Sequence, residues 1–270
     1  MKIGIVSDLH LDFFVDLGKP KKLEKHLETI ITEKIDVLVV AGDVSHYNSQ
    51  TLEFCRLVNE RGVKVVLVVG NHDHYIVSRE QLIKYPQFLS RFQDLKERFQ
   101  KLPDSHLLDG TTVTIDGITF GGACGWYDGT LSNPESPYGT SSQLLWEFYF
   151  NDSRRIPKLT NYLDMFQIEN PKVLEVYQKC DVMVTHICPI ADDSFIAEEF
   201  KGDILNGFYS FDGEHLVEAS GATHWIYGHM HTSDSQQLMK LDGKSIDLIR
   251  NPYGYPGLEA SKFKLKVIEV

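Results

Sequence analysis

The sequence predicts an α/β fold with two packed β-sheets and helices on their outer faces. The first third of the chain alternates continuously apolar, strand-length runs with helical patterns, which is typical of a parallel sheet covered on both sides. The second half is richer in β-hairpin signals and argues against one simple doubly wound sheet. The chain of 270 residues shows no internal repeat or low-complexity linker, so we expect a single domain over residues 1–270.

The first third contains predicted strands that are each followed by a helical pattern. In the first helix Leu23, Leu27, Ile30 and Ile31 share one face, and Pro20 suits a first helical turn. Pro86 must bend or break the third helix. The predicted strands are Lys2–Val6, Asp36–Ala41 and Val63–Val69, and the predicted helices are about Pro20–Thr32, Gln50–Glu60 and Ser78–Gln100.

Hairpins, helices and further strands are predicted in the second half. Asp116-Gly117 and Asp242-Gly243 are strong signals for the tight turns of hairpins. The predicted elements are the hairpin strands Thr111–Ile115 with Ile118–Gly121 and Leu238–Leu241 with Lys244–Ile249, the helices Ser142–Phe150 and Pro171–Gln178, and the strands Asp181–Thr185, Thr223–Tyr227 and Phe263–Val270. The long loop from Gly125 to Thr140 is flanked by aromatic residues, and we expect it to form a lid or a wall of a cleft.

The composition is that of a globular protein with an acidic balance. Hydrophobic residues make up 42% and charged residues 24% of the chain, which argues against disorder. The net charge of −11 is not that of a general nucleic-acid binder, so we expect no stable nucleic-acid binding. The N-terminus lacks signal-peptide features, and no run approaches the roughly 20 apolar residues of a membrane span. The four cysteines match no zinc-ribbon or CxxC spacing, so buried free thiols in a reducing cytoplasm are expected.

Predicted strands end in side chains that can ligate metals. In open α/β sheets, ligands bind beyond the carboxyl ends of the strands, so the predicted topology brings these groups to one rim. Each group alone is weak evidence, because an Asp-x-His pair is a common capping turn and His229 and His231 could be surface histidines. Their ordered occurrence at successive strand ends favours a site. The groups are Asp8 with His10, Asp43, Asn71 with His72, His186, and His229 with His231.

The residue types in this set indicate which metals it suits. Aspartate supplies hard anionic oxygen and imidazole supplies nitrogen, a combination that suits Mn, Fe or Zn rather than Ca. A carboxylate can bridge two cations about 3.5–4 Å apart, as in two-metal hydrolases. Because no cysteine belongs to the set, a closed structural zinc site is disfavoured. We therefore expect two divalent metal ions as cofactors.

The motifs resemble those of the calcineurin-like metallophosphoesterases. The matching segments are DLH at 8–10, GDV at 42–44, GNHD at 70–73, TH at 185–186 and GHMH at 228–231. The resemblance implies a four-layer α/β/β/α sandwich of two mixed β-sheets flanked by helices. The ligands that it implies are Asp8, His10 and His231 for one metal, Asn71, His186 and His229 for the other, and Asp43 as the bridge between them.

The resemblance also implies a mechanism of phosphoester hydrolysis. A water that bridges two cations loses its proton near neutral pH and attacks phosphorus in line, while the metals neutralise the non-bridging oxygens. His72, the non-ligand histidine of the set, would contact the phosphate and protonate or stabilise the leaving oxygen. Asp73 either orients His72 as a catalytic partner or caps the turn that follows. His46 and Tyr47 either line the substrate cleft or are ordinary loop residues.

Weaker candidates for substrate binding lie in the second half of the chain. Similar bacterial phosphohydrolases carry an N-D-x-R-x-I stretch that also occurs here, in which Arg154 and Arg155 either clamp a phosphate or lie at a solvated helix start. Those proteins also carry N-P-R-G-Y-P, whereas residues 251–256 of this chain have Tyr253 in place of the arginine. That difference argues against phosphate binding by residue 253, although Arg250 lies directly before this segment.

We expect a phosphatase or phosphodiesterase that acts on a phosphorylated small molecule or nucleotide in the cytoplasm. One alternative is a nuclease of the same superfamily, but the sequence shows no basic patch and no appended DNA-binding segment. The other alternative is a catalytically silent scaffold with the same fold. The complete ligand set and the presence of His72 argue against the scaffold.

Overall fold

Two mixed β-sheets pack face to face in the computed structural model, which describes residues 1–131, 141–196 and 198–270. The strands are β1 (Lys2–Val6), β2 (Val37–Ala41), β3 (Lys64–Val68), β4 (Ser105–Leu107), β5 (Thr111–Ile115), β6 (Ile118–Gly122), β7 (Val182–Val184), β8 (His224–Tyr227), β9 (Asp234–Met239), β10 (Ser245–Arg250) and β11 (Lys266–Glu269). The first sheet has the order β11-β1-β2-β3-β4, with β11 antiparallel to its neighbour. The second has the order β5-β6-β7-β8-β10-β9, with antiparallel strands β5 and β9 at its edges.

Helices cover the outer faces of the sheets and complete a four-layer α/β/β/α sandwich. They are α1 (Pro20–Ile30), α2 (Asn48–Asn59), α3 (Arg79–Lys84), α4 (Ser90–Phe99), α5 (Ser142–Tyr149), α6 (Asp152–Arg155), α7 (Tyr162–Val176) and α8 (Glu214–Glu218). Alternation along β2 separates the two faces, since Val37, Val39 and Ala41 pack against the other sheet. Leu38 and Val40 pack against the helices. The predicted fold class is confirmed, and no helix in the described ranges is long and apolar enough to cross a membrane.

The start of α7 differs from the prediction. The sequence pattern predicts that the helix starts at Pro171, but α7 begins at Tyr162 and contains Pro171 in its interior. Asn161 defines the start, because its side chain accepts a hydrogen bond from Leu163 N at 2.9 Å. Buried apolar side chains on both sides of the proline hold the helix against the second sheet. They are Met165, Val173 and Val176.

Smaller differences lie at other element ends. Pro86 divides the helical pattern of residues 78–100 into α3 and α4, because proline has no N–H for the helical ladder. The edge strand β4 has only three residues, too few to show a pattern of its own. β9 begins at Asp234 rather than Leu238, and its exposed polar residues hide the strand from a hydrophobic pattern.

The parallel strands align their carboxyl ends at one rim of the sandwich. In the first sheet Val6 pairs with Val40, and Ala41 pairs with Val68. β7 and β8 of the second sheet run parallel in the same way. The loops that follow these strands carry the predicted ligands.

A buried carboxylate lies in α7, which packs on β5 and β6. Glu169 accepts a hydrogen bond from Lys172 Nζ at 2.6 Å, and Lys172 also pairs with Asp109 at 2.5 Å. The side chain of Glu169 is 1% exposed. Burial raises the pKa of Glu169 to about 7, although the charge of Lys172 opposes the shift.

Glu169→Gln is expected to remove a pH-dependent loss of stability. Because the folded-state pKa lies above the unfolded value of about 4.3, the folded chain holds an extra proton between the two values. The free energy of unfolding therefore falls as pH rises through that window, by at most about 1.4 kcal/mol per pH unit. Urea unfolding of both proteins between about pH 5 and pH 8 should show the variant gaining about 2 kcal/mol relative to the wild type. If the free energies of unfolding of the wild type and the variant changed with pH in parallel, the expectation would be contradicted.

Candidate metal centre

Loops at the strand ends bring the predicted ligands into adjoining clusters of donor atoms. The first cluster is Asp8, His10 and His231, and the second is Asp43, His186 and His229. Within each cluster the donor atoms lie within 4.8 Å of one another, and a third grouping of His10, Asp43 and His72 links the two. Asn71 adjoins the second cluster, because its Oδ1 lies 3.1 Å from His186 Nε2. The structure thus places all of the residues predicted as ligands at one rim.

The first cluster is built on the carboxylate of Asp8. Asp8 is fully buried, and its Oδ1 lies 3.5 Å from His231 Nε2, which in turn lies 3.2 Å from His10 Nε2. Burial alone would raise the pKa of Asp8, but the charge and hydrogen bond of His231 outweigh burial and lower it. Asp8 is therefore an anion at neutral pH, as a metal ligand must be.

Hydrogen bonds determine which ring nitrogen each histidine of the second cluster presents. His186 Nδ1 lies 2.8 Å from the carbonyl oxygen of Ala41, so it donates there and leaves the lone pair of Nε2 free. His229 Nε2 lies 3.1 Å from the carbonyl oxygen of Phe208, so this nitrogen carries the proton and Nδ1 is free. Both rings thus hold the tautomer that a metal ligand needs.

Hydrogen-bond acceptors face one another in the second cluster. His186 Nε2 lies 3.1 Å from Asn71 Oδ1 and 3.5 Å from Asp43 Oδ2. Acceptors at this separation repel unless a cation lies among them. Two ligand atoms that each lie about 2.0–2.2 Å from one cation are separated by about 3–3.5 Å, which matches these distances. The side chains present therefore fit a divalent metal ion.

Burial keeps two of the histidines neutral. It lowers the pKa of His10 to about 3 and that of His229 to about 3. His231 differs, because the carboxylate of Asp8 outweighs burial and raises its pKa. Since imidazole ligates a metal through a nitrogen without a proton, His10 and His229 can bind at neutral pH directly. His231 is more often protonated than His10 and His229, so it has to release a proton when it binds a metal ion.

The ligand residues occupy uncommon backbone conformations. Non-glycine residues rarely adopt positive φ, and when they do they cluster at functional sites, where the surrounding packing enforces the strain. Within the described residues, positive φ of 42–68° occurs at Asp8, His10, Asp43, His229 and His231. The strained loops therefore position these side chains, and the strain lowers the local stability of the backbone.

Gly42 and Gly70 allow the ligand loops to approach one another. A Cβ atom at Gly42 would lie 2.4 Å from His186 Nδ1, and one at Gly70 would lie 2.1 Å from Asp43 Oδ1. Either contact would displace a ligand. This explains why the motifs place glycine directly before Asp43 and Asn71.

His72 lies beside Asp43, between the two clusters. Its backbone N donates to Asp43 Oδ1 at 2.9 Å, and its Nε2 lies 4.0 Å from Asp43 Oδ2. The carboxylate of Asp73 accepts hydrogen bonds from the backbone amides of Gly70 and Asp43 at 2.9 and 3.0 Å. The ring of His72 instead pairs through Nδ1 with His46. These contacts favour the turn-capping interpretation of Asp73 over a role in orienting His72.

Comparison with known protein families identifies the family of this chain. The sequence profile of the calcineurin-like phosphoesterases matches residues 1–233. The chain belongs to this family. Membership makes it a metal-dependent phosphoesterase, a hydrolase of phosphoric ester bonds, and confirms the predicted resemblance and enzyme class.

Solved structures resemble this phosphoesterase at low sequence identity. Over 99% of this chain and 95% of the other, it is similar to a phosphopantetheinyl hydrolase from Mycobacterium tuberculosis, with 16% identity and a TM-score of 0.68. A dimetal phosphatase from Danio rerio matches over 93% of this chain and 87% of that chain, with 13% identity and a TM-score of 0.42. No curated protein sequence matches the chain. The first likeness confirms the shared fold.

Asp152 holds the amide of Asn71 in the orientation of a ligand. Asp152 is fully buried, and its Oδ1 accepts a hydrogen bond from Asn71 Nδ2 at 2.9 Å. The same carboxylate accepts hydrogen bonds from the hydroxyls of Tyr75 and Tyr127. With its nitrogen engaged in this way, Asn71 turns Oδ1 toward His186. The N-D-x-R-x-I stretch of this phosphoesterase therefore supports the site through its aspartate, whereas the sequence predicts a role only for its arginines.

Asp152→Asn is expected to weaken metal binding by this phosphoesterase about 10–100-fold. The variant places an amide donor against groups that donate to Asp152, so Asn71 no longer has a single preferred orientation. Calorimetric titration of the metal-free protein with Mn²⁺ measures the affinity. Tyr127→Phe is the control, because it removes one hydrogen bond to Asp152 and leaves Asn71 paired. Equal losses in the two variants would contradict the orienting role.

Arg154 and Arg155 lie at the surface, outside the donor clusters found among the described residues. The guanidinium of Arg154 donates to the carbonyl oxygen of Phe148 and to Asn151 Oδ1, both at 3.4 Å. Both arginines line a surface depression together with Arg79. Their role in substrate binding stays a prediction.

Residues 251–256 place an aromatic ring against the first cluster. Tyr255 stacks on His10, with ring centroids 4.4 Å apart. Tyr253, at the position of the arginine in similar phosphohydrolases, is buried in the core. Arg250 is buried too, and its guanidinium donates to a backbone carbonyl oxygen at 2.9 Å. The segment thus supports the ligand histidines by stacking.

The predicted lid or wall falls only partly within the described residues. Trp126 and Tyr127 are fully buried, and Tyr127 donates its hydroxyl hydrogen bond to Asp152. Residues 132–140, which include Tyr138, lie outside the described ranges. The first part of the predicted loop therefore belongs to the support beneath the site.

Proposed function

We propose that this phosphoesterase hydrolyses phosphate monoesters or diesters at a centre of two divalent cations. The observation that carries the proposal is the position of Asp43. Its carboxylate belongs to one donor grouping that includes His10 and to another that includes His186. A shared carboxylate holds two cations close enough to act on one phosphate. The proposed ligands are Asp8, His10 and His231 for one cation, Asn71, His186 and His229 for the other, and Asp43 for both.

The cations, when bound, acidify water and neutralise the charge that develops on the phosphate oxygens. The protein supplies the anionic oxygens, the imidazole nitrogens and a proton donor. His72 Nε2 faces Asp43 and lies in position to give a proton to the leaving oxygen. Burial lowers the pKa of His72, so a phosphate anion bound beside the ring is what favours its protonated form.

The substrate in this proposal is a phosphorylated small molecule or nucleotide. The net charge of −11 does not attract a polyanion, whereas the cations themselves attract a single phosphate group. The oxygen and nitrogen donors suit Mn, Fe or Zn. All four cysteines are buried and free, which supports the cytoplasm, a reducing compartment, as the location.

A substrate panel with added Mn²⁺ tests the proposal. It compares a phosphomonoester, a phosphodiester, a cyclic nucleotide and a phosphopeptide, and the metal content is measured on the same sample. Turnover of one of the first three that stops on chelation and returns with metal would support the proposal. A folded, metal-loaded protein that hydrolyses none of the four would overturn it.

A further inference from the structure

Two side chains outside the ligand set connect His72 to a carboxylate. His72 Nδ1 lies 3.0 Å from His46 Nε2, and His46 Nδ1 lies 2.7 Å from Asp12 Oδ2. The three side chains are only 10–15% exposed. They form one hydrogen-bonded chain that leads from the metal centre to a negative charge.

The carboxylate at the far end determines the direction of each hydrogen bond in this chain. Asp12 can only accept, and it accepts from the backbone N–H of His46 at 3.1 Å as well as from the ring. His46 therefore carries its proton on Nδ1 and presents the lone pair of Nε2 to His72. The ring of His72 must then carry a proton on Nδ1, which leaves Nε2 on the side of Asp43.

Other contacts hold the backbone of these loops. The buried guanidinium of Arg91 donates to three backbone carbonyl oxygens at 2.6–3.0 Å, including that of His72 at 2.9 Å. Gln81 Nε2 donates to the carbonyl oxygen of His46 at 2.7 Å. The loops are thus anchored without the hydrogen bond between the two rings. The hydrogen bond between the two rings therefore determines the orientation of the His72 ring and the position of its proton.

We propose that Asp12 and His46 are positioning residues that hold His72 in its Nδ1–H form and direct Nε2 to the leaving group. The inference rests on the proposed function, in which His72 gives a proton to the leaving oxygen. Before that step His72 is doubly protonated, with the second proton on Nε2. In the step the P–O bond breaks, its electron pair goes to the leaving oxygen, and that oxygen takes the proton from Nε2. Nδ1–H stays bonded to His46, so the ring returns to the neutral form that the chain favours. Water supplies the hydroxyl group that phosphorus gains and the proton that restores His72.

Asp12→Asn tests the proposal by reversing the hydrogen-bonded chain while keeping its shape. The backbone N–H of His46 can only donate, so it binds the introduced amide oxygen and turns the amide nitrogen toward His46 Nδ1. His46 must then carry its proton on Nε2, and His72 must carry its proton on Nε2 as well. Nitrogen-15 NMR of the histidine-labelled, Mg²⁺-bound chain reports which ring nitrogen bears the proton. His72→Gln identifies the signals of His72.

Kinetics on two phosphate monoesters provide a second measurement. An alkyl ester needs a proton on its leaving oxygen, whereas a 4-nitrophenyl ester needs it far less because its leaving anion is stable. We expect Asp12→Asn to lower kcat for the alkyl ester about tenfold or more beyond its effect on the aryl ester. Asp16→Asn makes the same charge change at an exposed residue, and it should alter neither the NMR pattern nor the ratio of the two rates.

An unchanged proton position on His72 in Asp12→Asn would overturn the proposal. A rate loss that is equal for both esters would also overturn it, because a purely structural disturbance does not discriminate between leaving groups. Failure of the proposed function looks different. A wild type that hydrolyses no phosphate monoester and no phosphate diester contradicts that function, while the NMR comparison still reports the direction of the hydrogen-bonded chain.

Discussion

Asp43→Asn is expected to lower kcat at least about a hundredfold and to reduce the metal content of the protein. The substitution removes the anionic oxygen that belongs both to the second cluster and to the grouping with His10 and His72. The variant keeps the shape of the side chain and can still accept the hydrogen bond from the backbone N–H of His72. The loss therefore reflects the missing charge rather than a disturbed loop. Rates on 4-nitrophenyl phosphate and elemental analysis of bound metal measure the two effects.

The same substitution should have the opposite effect on the stability of the metal-free protein. Burial raises the pKa of Asp43, and the carboxylates of Asp8 and Asp73 raise it further. Because the folded-state pKa lies above the unfolded value, ionisation of Asp43 at neutral pH costs stability when no cation is bound. With a chelator present, Asp43→Asn should unfold at a higher urea concentration than the wild type, and saturating metal should reverse the order. A variant that keeps its metal and more than about one-tenth of kcat would contradict the shared-ligand assignment.

The predicted ligands could be located from sequence because each follows a strand that the pattern identifies. Apolar, strand-length runs end two residues before Asp8, Asp43 and Asn71. Parallel strands align their carboxyl ends, so the local pattern alone brings these loops to one rim. The same rule applies to His186 and His229 in the second sheet, where β7 and β8 run parallel.

The residues that support the ligands could not be located in this way. Asp152 meets Asn71, and Asp12 meets His46, across loops that have no periodic pattern. These contacts depend on how the loops fold over the rim, which the strand pattern does not determine. A sequence motif also cannot show whether Asp73 contacts a side chain or the backbone of its own turn. The only sequence signal for Asp152 is the N-D-x-R-x-I stretch. In that stretch the neighbouring arginines are the more obvious candidates for a phosphate site, so the motif alone does not single out the aspartate.

His72→Ala is expected to lower kcat about a hundredfold or more while the protein keeps its metal. The substitution removes the proton donor to the leaving oxygen and leaves the proposed ligands in place. The loss should grow with the basicity of the leaving group, so alkyl esters lose more than aryl esters. Rates on a series of phosphate monoesters and the metal content measure the two parts of the prediction. His215→Ala, at an exposed histidine, is the control.

The metal content distinguishes two roles for His72. Its ring nitrogen also groups with donor atoms of His10 and Asp43, so the geometry alone permits His72 to hold a cation. If His72→Ala loses metal in proportion to its rate, and all leaving groups are affected equally, then His72 is a ligand and its assignment as the acid is wrong. A missing ligand weakens the site for every ester alike, whereas a missing acid slows only those esters whose leaving oxygen needs a proton. Full metal content with a loss that depends on the leaving group would therefore assign the proton transfer to His72.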